Sequence, residues 1–248
     1  MLPLVDKSAL VGRSLGDLAA RLREIENRAV GEPAAAVRTG WAGVDAALPE
    51  GGLRVGALHE WCGVGGDRRA FTTWVPPLLM LAHLARRAGR GWSVWIGRRV
   101  WLHGHAACAA LGGPERSLWV DAPDAGARLW AIEAALRCPG VVVIADGSGF
   151  DSAASRRLQL AASSCGALGV LARPAGELAE ISFAATRWAV TPAPGGDPAP
   201  GWMLTLVRCK GVRAVDSPRW MIERTRDGGL GCVSSELADG PGAQVAAS

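Results

Sequence analysis

Short apolar runs separated by longer amphipathic stretches fill the middle of the chain. Residues 140–146 read Gly-Val-Val-Val-Ile-Ala-Asp, a continuous apolar run that is typical of a strand buried on both faces of a parallel sheet. Helical patterns of about 10–20 residues between such runs predict right-handed crossover connections. The predicted strands are an opening strand from Ala57 and runs at 92–97, 117–120, 140–146, 169–174, 182–190 (an edge strand), 202–208 and 219–224 (the last strand), and the predicted helices cover 67–90, 125–137 and 152–165.

Patterns toward the two ends of the chain predict less regular structure. Leu15, Leu18, Leu22 and Ile25 recur at helical spacing, and Ser14 can cap the amphipathic helix that they predict. This helix either packs on its own domain or docks on another subunit. The sequence therefore divides into an N-terminal helix and linker at 1–37, a core domain at 38–226 and a C-terminal tail at 227–248, which we expect to be partly disordered.

Composition excludes several classes of protein. Of the 248 residues, 49% are hydrophobic and 20% are charged, as in ordinary folded domains. No apolar run reaches the ~18 residues that a membrane-spanning helix needs. The N-terminus lacks a signal-peptide pattern, so we expect a cytoplasmic protein without membrane contact. The six cysteines show no C-x-x-C spacing, which indicates neither a metal site nor disulfides. A net charge of +4 permits an anionic partner without requiring one.

A glycine-rich stretch follows the opening strand, where a phosphate-binding loop would lie. Such a loop reads G-x-x-x-x-G-K-[ST]: backbone N–H groups surround the phosphates, the lysine reaches the terminal phosphate and the hydroxyl binds the metal. Gly63 occupies the first glycine position. The second glycine, the lysine and the hydroxyl are replaced by Arg68, Arg69 and Ala70.

These replacements argue against nucleotide hydrolysis at the loop. Gly63, Gly65 and Gly66 still allow close backbone approach, and Arg69 supplies positive charge, so these four residues are the candidate nucleotide contacts. A guanidinium does not replace a compact ammonium, and Ala70 cannot bind magnesium. We therefore expect no turnover and no cofactor. A strand-turn-helix joint retained without a ligand is the favoured interpretation, and anion or nucleotide binding without turnover is the alternative.

The segment before the opening strand carries a specific resemblance. Residues 39–56 follow the pattern T-G-x-x-x-[LV]-D-x-x-L…G-G-[LI]-x-x-G with order and spacing intact. This pattern resembles the lead-in to the core of RecA-family recombinases. The resemblance implies an α/β fold with a RecA-like P-loop NTPase core, in which a mainly parallel sheet is flanked by helices and followed by an antiparallel C-terminal extension.

The recombinase resemblance also implies roles for positions after the loop. Arg98 occupies the position of the acidic residue that activates the attacking water, so the general base is missing. Asp146 occupies the position of the metal-associated aspartate. The two loops that carry DNA in recombinases correspond to residues 147–151 and 174–181, and both are short.

A basic segment near the C-terminus is the candidate binding surface. Arg208 and Lys210 match a pair that, in recombinases, reaches the ATP of the neighbouring subunit. We expect Arg208, Lys210 and Arg213 to bind single-stranded DNA or a partner protein. An exposed basic hairpin turn without a ligand is an equally open interpretation.

Four segments narrow the resemblance to one family. They are 39–60, 156–174 with R-R-L-Q-L-A-A…G-A-L-G-V-L-x-R-P, 187–192 with R-W-x-V-x-P, and 204–211 with L-x-L-V-R-C-K-G. The chain resembles the ImuA family, RecA- and SulA-related proteins of bacterial damage-induced mutagenesis cassettes. The RecA-like pattern covers residues 38–225, with its catalytic positions replaced.

The ImuA resemblance implies a non-catalytic accessory protein of translesion synthesis in the SOS response. The implied partners are ImuB (a catalytically inactive Y-family polymerase homologue), an error-prone replicative-type polymerase, RecA and single-stranded DNA. These partners would place the protein in the cytoplasm at the nucleoid. Two alternatives stay open: an active RecA-type DNA-dependent ATPase, and a SulA-like inhibitor of cell division.

Overall fold

The computed structural model describes residues 36–63, 74–88, 91–102, 115–193, 201–212, 217–225 and 228–236. The strands are β1 (Ala36–Val37), β2 (Leu53–Arg54), β3 (Ala57–Gly63), β4 (Ser93–Ile96), β5 (Ser117–Val120), β6 (Val142–Asp146), β7 (Leu168–Pro174), β8 (Thr186–Pro192), β9 (Gly201–Cys209), β10 (Arg219–Arg224) and β11 (Leu230–Glu236). The α-helices are α1 (Ala42–Ala46), α2 (Leu78–Arg87), α3 (Ala125–Leu136) and α4 (Ser152–Cys165), and 3₁₀ turns lie at Arg98–Val100 and Ala175–Glu177.

One large sheet organises these elements. It has nine strands in the order β11-β10-β9-β8-β3-β7-β6-β4-β5, and β1 pairs with β2 in a separate small sheet. Strands β3 to β8 are parallel to one another, whereas β9, β10 and β11 add antiparallel strands to one side. The predicted α/β fold, with its mainly parallel sheet and antiparallel extension, is confirmed. The RecA-like identity of the core stays a prediction.

Apolar side chains cover both faces of the parallel strands. On one face, tryptophans of the sheet pack against α2, and the rings of Trp61 and Trp188 stack with centroids 5.4 Å apart. On the other face, Leu58 and Val143 pack under α3 and α4. Because the central strands are buried on both faces, their sequences read as continuous apolar runs.

Aspartates fix the starts of the two longest helices. Asp124 accepts a hydrogen bond from Ala127 N at 2.8 Å and begins α3, and Asp151 does the same for Ala154 N, at 2.8 Å, at the start of α4. Gly166, in the left-handed conformation at φ 66°, ends α4. The predicted helices at 125–137 and 152–165 are confirmed. No helix in the described ranges has the length and apolar character to cross a bilayer.

The lead-in motif that begins at Thr39 has a structural role in this fold. The carboxylate of Asp45 accepts hydrogen bonds from the backbone N and the hydroxyl of Thr39, both at 2.8 Å, and from Gly40 N at 3.2 Å. Gly40 has a positive φ of 84°, which a side chain would oppose. The Thr-Gly and Asp of the motif therefore close the turn that leads into α1.

The helix predicted at 67–90 is confirmed over Leu78–Arg87 and wrong at 74–77. Residues 74–77 are not helical, and α2 begins only at Leu78. Pro76 and Pro77 explain the late start, because proline has no backbone N–H and disfavours helical backbone at the residue before it. The portion at 67–73 lies outside the described residues.

Two predictions about the last strands are also wrong. The strand predicted at 182–190 begins at Thr186, and it is not an edge strand because β8 lies between β3 and β9. The strand at 219–224 is not the last, since β11 pairs with it in antiparallel register. The sequence of β11, Leu-Gly-Cys-Val-Ser-Ser-Glu, contains residues that are poor strand formers, so its pattern is weak.

Candidate functional site

The first glycine of the degenerate loop ends β3 and is closely covered. A Cβ atom at Gly63 would overlap the backbone carbonyl oxygen of Val75, in the segment that precedes α2. Contact between two stretches of backbone therefore suffices to require glycine here. The other candidate nucleotide contacts, Gly65, Gly66 and Arg69, lie outside the described residues.

The carboxylate of Asp146 lies at the carboxyl end of β6, and both of its oxygens accept hydrogen bonds from neighbours. Its Oδ1 accepts hydrogen bonds from the backbone N and the hydroxyl of Ser148, at 3.0 and 2.6 Å. Its Oδ2 accepts one from a guanidinium N–H of Arg99 at 3.2 Å. The side chain of Arg128 lies 3.9 Å from the same oxygen and donates to the Asp146 carbonyl at 3.1 Å.

A shallow cavity of about 310 Å³ opens beside Asp146, at the carboxyl ends of β4, β5 and β6. Three arginines line it: Arg98, Arg99 and Arg128. Arg98, at the predicted position of the missing general base, forms a two-point pair with Asp121 at 2.9 and 2.5 Å. That hydrogen bond from Arg98 lowers the pKa of Asp121.

This arrangement does not fit a divalent metal at Asp146. Oδ1 already accepts two hydrogen bonds, and a hard cation at Oδ2 would have to displace Arg99 and approach its positive charge. The positive charge that a metal would supply comes instead from Arg99 and Arg128. Within the described ranges, no group of three or more histidine, cysteine or acidic side chains could hold a metal ion.

The predicted basic segment is partly committed to the fold. The guanidinium of Arg208 donates to the carbonyl oxygens of Ser182 and Ala184, at 2.7 and 2.8 Å. The side chain of Lys210 is exposed, while its backbone N donates to Ala185 at 2.7 Å. Arg213 lies outside the described residues. The binding role of Arg208, Lys210 and Arg213 stays a prediction, and the role of Arg208 in fixing the neighbouring loop was not predicted.

A buried ionic cluster at the centre of the sheet was not predicted. The fully buried carboxylate of Glu60 accepts hydrogen bonds from Arg173 on β7 at 3.0 Å and from Arg187 on β8 at 2.7 Å. The hydroxyl of Ser182 donates to the same carboxylate at 2.7 Å. Because β3 lies between β7 and β8, one carboxylate joins three adjacent strands.

The two arginines of this cluster reach beyond Glu60 and hold residues 177–184, which we call the pinned segment. Arg187 donates to the carbonyls of Leu178 at 2.8 Å and Glu177 at 3.1 Å, and also to that of Glu180. Arg173 donates to the carboxylates of Glu177 and Glu180, at 2.7 and 2.9 Å. Arg208 then holds the end of the segment from the opposite side.

The same cluster joins the two segments, 147–151 and 174–181, that the sequence resemblance predicts to correspond to the DNA-carrying loops of recombinases. Arg173 donates to the carbonyl of Phe150 at 2.7 Å, and Gly149 N donates to Glu177 at 2.9 Å. The turn at 147–151 and the pinned segment are therefore tied to each other. A charge inside each of three apolar strands, at Glu60, Arg173 and Arg187, was the sequence signal for this cluster, since charged side chains are rarely buried unless they are paired.

Burial shifts the pKa values of two other side chains of β3, His59 and Cys62, away from neutral pH. His59 lies between the hydroxyl of Thr186 at 2.8 Å and the carbonyl of Arg54 at 3.0 Å, and burial lowers its pKa to about 4. Burial, together with the charge of Glu60, raises the pKa of the Cys62 thiol to about 12. Neither group is suited to proton transfer or nucleophilic attack near neutral pH.

Comparison with known proteins finds relatives over most of the chain. Protein ImuA from two strains of Caulobacter vibrioides, NA1000/CB15N and ATCC 19089/CIP 103742/CB 15, is 33% identical over 222 aligned residues, covering 79% of this chain and 87% of the relative. No protein-family model matches the chain.

Proposed function

The chain belongs to the ImuA family, and on this premise we propose that it is a non-catalytic accessory protein of DNA-damage-induced mutagenesis. In this proposal it has a RecA-like core that serves as a docking surface. It acts with ImuB and an error-prone polymerase in synthesis past lesions, and it contacts RecA or single-stranded DNA.

The non-catalytic role rests above all on the surroundings of Asp146. An NTPase would need this carboxylate for a metal ion, and both of its oxygens are engaged by Ser148 and Arg99. Removing Arg99 from that contact would leave a charge that is 2% exposed without its closest cationic partner. A metal ion at Asp146 would have to displace Arg99 from Oδ2, and this competition supports the non-catalytic role.

Two further observations support the same interpretation. The position of the water-activating acid holds Arg98, a cation paired with Asp121, so no base is available at that point. The glycine retained at 63 is explained by its contact with Val75 and needs no phosphate. The RecA-like part of the proposal is supported by the parallel arrangement of strands β3–β8. This arrangement brings Gly63 and Asp146, which lie at the carboxyl ends of β3 and β6, to the same side of the sheet.

A turnover assay tests the proposal directly. The purified full chain is incubated with ATP and Mg²⁺, with and without single-stranded DNA, alongside the variant Asp146→Asn. We expect equal background release of phosphate from both proteins. DNA-stimulated release that is lost in Asp146→Asn would overturn the non-catalytic role and favour a RecA-type ATPase.

Pairwise binding measurements test the partnership. ImuB, RecA and the tubulin-like division protein are each presented to the immobilised chain, and we expect binding to ImuB. Binding to the division protein alone would favour the SulA-like alternative.

A further inference from the structure

The pinned segment presents apolar side chains to solvent in a regular pattern. Over residues 181–184 the side chains alternate: Ile181 and Phe183 are 75% and 42% exposed, whereas Ser182 and Ala184 are buried. In extended backbone, alternate side chains point to the same side. Ile181 and Phe183 therefore form one outward strip, while their neighbours point toward the core.

This strip is held rigidly and does not need to be ordered by a ligand. Arg208 grips the carbonyls of Ser182 and Ala184, on both sides of Phe183. The backbone N of Phe183 donates to the hydroxyl of Ser155 at 2.9 Å, which fixes the strip to α4. Holding a surface in one conformation before binding lowers the entropic cost of association.

Helix α4 extends the exposed surface and adds charge. The guanidinium of Arg156 lies over the ring of Phe183, 5.8 Å from its centroid. One turn further along α4, Leu160 is 60% exposed. We call the surface formed by Ile181, Phe183, Arg156 and Leu160 the docking face.

The docking face lies in a region of net positive charge. Arg208 spends its hydrogen bonds on neutral carbonyls, and Arg156 contacts an aromatic ring. Among the residues that the structure describes, no carboxylate pairs with Arg156, Arg208 or Lys210. The adjoining ionic cluster adds two arginines (Arg173, Arg187) and three carboxylates (Glu60, Glu177, Glu180), so these eight side chains sum to +2, five cations less three carboxylates. This net positive charge is complementary to an acidic partner.

We propose that the docking face binds a segment of a partner protein in which apolar anchor residues lie beside acidic ones. Two of the three apolar side chains are the aliphatic Ile181 and Leu160, which pack against protein side chains, whereas nucleic-acid bases stack on aromatic rings and guanidinium planes. Phe183, rigid and flanked by Arg156, is the central anchor. This inference rests on the proposed function, because it takes ImuB as the protein that carries the segment.

The test uses the full chain and purified full-length ImuB from the same organism. Dissociation constants are measured for the wild type, for the double variant Ile181→Ser/Phe183→Ser, for Arg156→Glu, and for the control Trp130→Ser. Trp130 is 69% exposed on α3 and outside the docking face, so the control removes a similar exposed apolar surface elsewhere. Thermal unfolding of each variant checks the fold, and Phe183→Ser alone replaces the double variant if that variant is unstable.

We expect the double variant to bind ImuB about tenfold more weakly or worse, with the control unchanged. Arg156→Glu should also weaken binding, and wild-type affinity should fall as salt increases. If the double variant binds ImuB as tightly as the wild type does, the docking face is overturned and the proposed function is left intact. Absence of wild-type binding to ImuB would overturn both. Binding of the wild type and the double variant to a single-stranded oligonucleotide is measured as well. If the double variant loses this binding while its affinity for ImuB is unchanged, the face is assigned to nucleic acid and the inference is overturned.

Discussion

The buried carboxylate of Glu60 gives the most decisive test of how this fold is held together. In Glu60→Gln the side chain keeps its shape and loses its negative charge, so Arg187 keeps only neutral carbonyl partners besides the amide. Arg173 keeps the carboxylates of Glu177 and Glu180. The uncompensated charge is therefore the guanidinium of Arg187, of which only 4% of the side chain is exposed.

Removing one partner of a buried ion pair costs about 3–5 kcal/mol. Total stabilities of single domains are about 5–15 kcal/mol, so we expect Glu60→Gln to be close to unfolding at physiological temperature. Unfolding in urea, which does not screen charges, followed by tryptophan fluorescence gives the free energy of unfolding. Trp61 and Trp188 lie beside the cluster in sequence and report on it.

Two controls separate charge from packing. Asp121→Asn removes a carboxylate from the exposed pair with Arg98, and we expect little change in stability. Glu60→Gln/Arg187→Met removes the charge that the first substitution leaves unpaired, so the double variant should be more stable than Glu60→Gln alone. A loss below about 1 kcal/mol for Glu60→Gln, the scale of an exposed pair, or a double variant less stable than the single one, would refute the reasoning.

Three further predictions concern β3. Burial lowers the pKa of His59 to about 4, below about 6.5 in the unfolded chain. Protons therefore favour the unfolded chain in acid. We expect the contribution of neutral His59 to the free energy of unfolding to be complete above about pH 6.5 and to fall by about 2 kcal/mol between pH 7 and pH 5. In His59→Gln, the free energy of unfolding measured in urea should depend less steeply on pH over this range. Gly63→Ala should lower the free energy of unfolding by about 1–3 kcal/mol through overlap with Val75, and an unchanged urea midpoint would contradict that contact. Burial raises the pKa of Cys62 to about 12, so a thiol reagent near neutral pH should label the exposed Cys138 and spare Cys62 until the protein unfolds; mass spectrometry of labelled peptides distinguishes the two.

Elements with strong local signals could be predicted from the sequence. The apolar run at 140–146 and the capping aspartates 124 and 151 determine β6, α3 and α4 through neighbouring residues alone. The late start of α2 was also visible, because Pro76-Pro77 interrupts the pattern. The interior position of β8 was not visible. It depends on pairing with the distant strand β3, where Arg187 meets a carboxylate 127 positions earlier in the chain.

The candidate site was likewise predictable from the sequence only in part. Gly63 and Asp146 could be placed at strand ends from the sequence, because a glycine and an acid follow apolar runs there. The partners of Asp146 could not be read, since Arg99 approaches from a different strand end. Arg208 was assigned to binding because it matches one of a pair of basic residues in recombinases, whereas its carbonyl acceptors at 182 and 184 become its neighbours only in the folded chain.

The pairing of Asp146 with Arg99 bears on timing as well as on catalysis. A nucleotide binds together with its metal ion and is later hydrolysed and released. A protein that uses one therefore alternates between two states, and the rate of hydrolysis limits the lifetime of its complexes. Arg99 belongs to the same chain as Asp146, so this cation is present whether or not metal or nucleotide is in solution. Under the proposed non-catalytic role, we expect assemblies of this protein to be insensitive to chelators and to the ratio of ATP to ADP. Their lifetime would then be set by the abundance of the partners and by their dissociation rates.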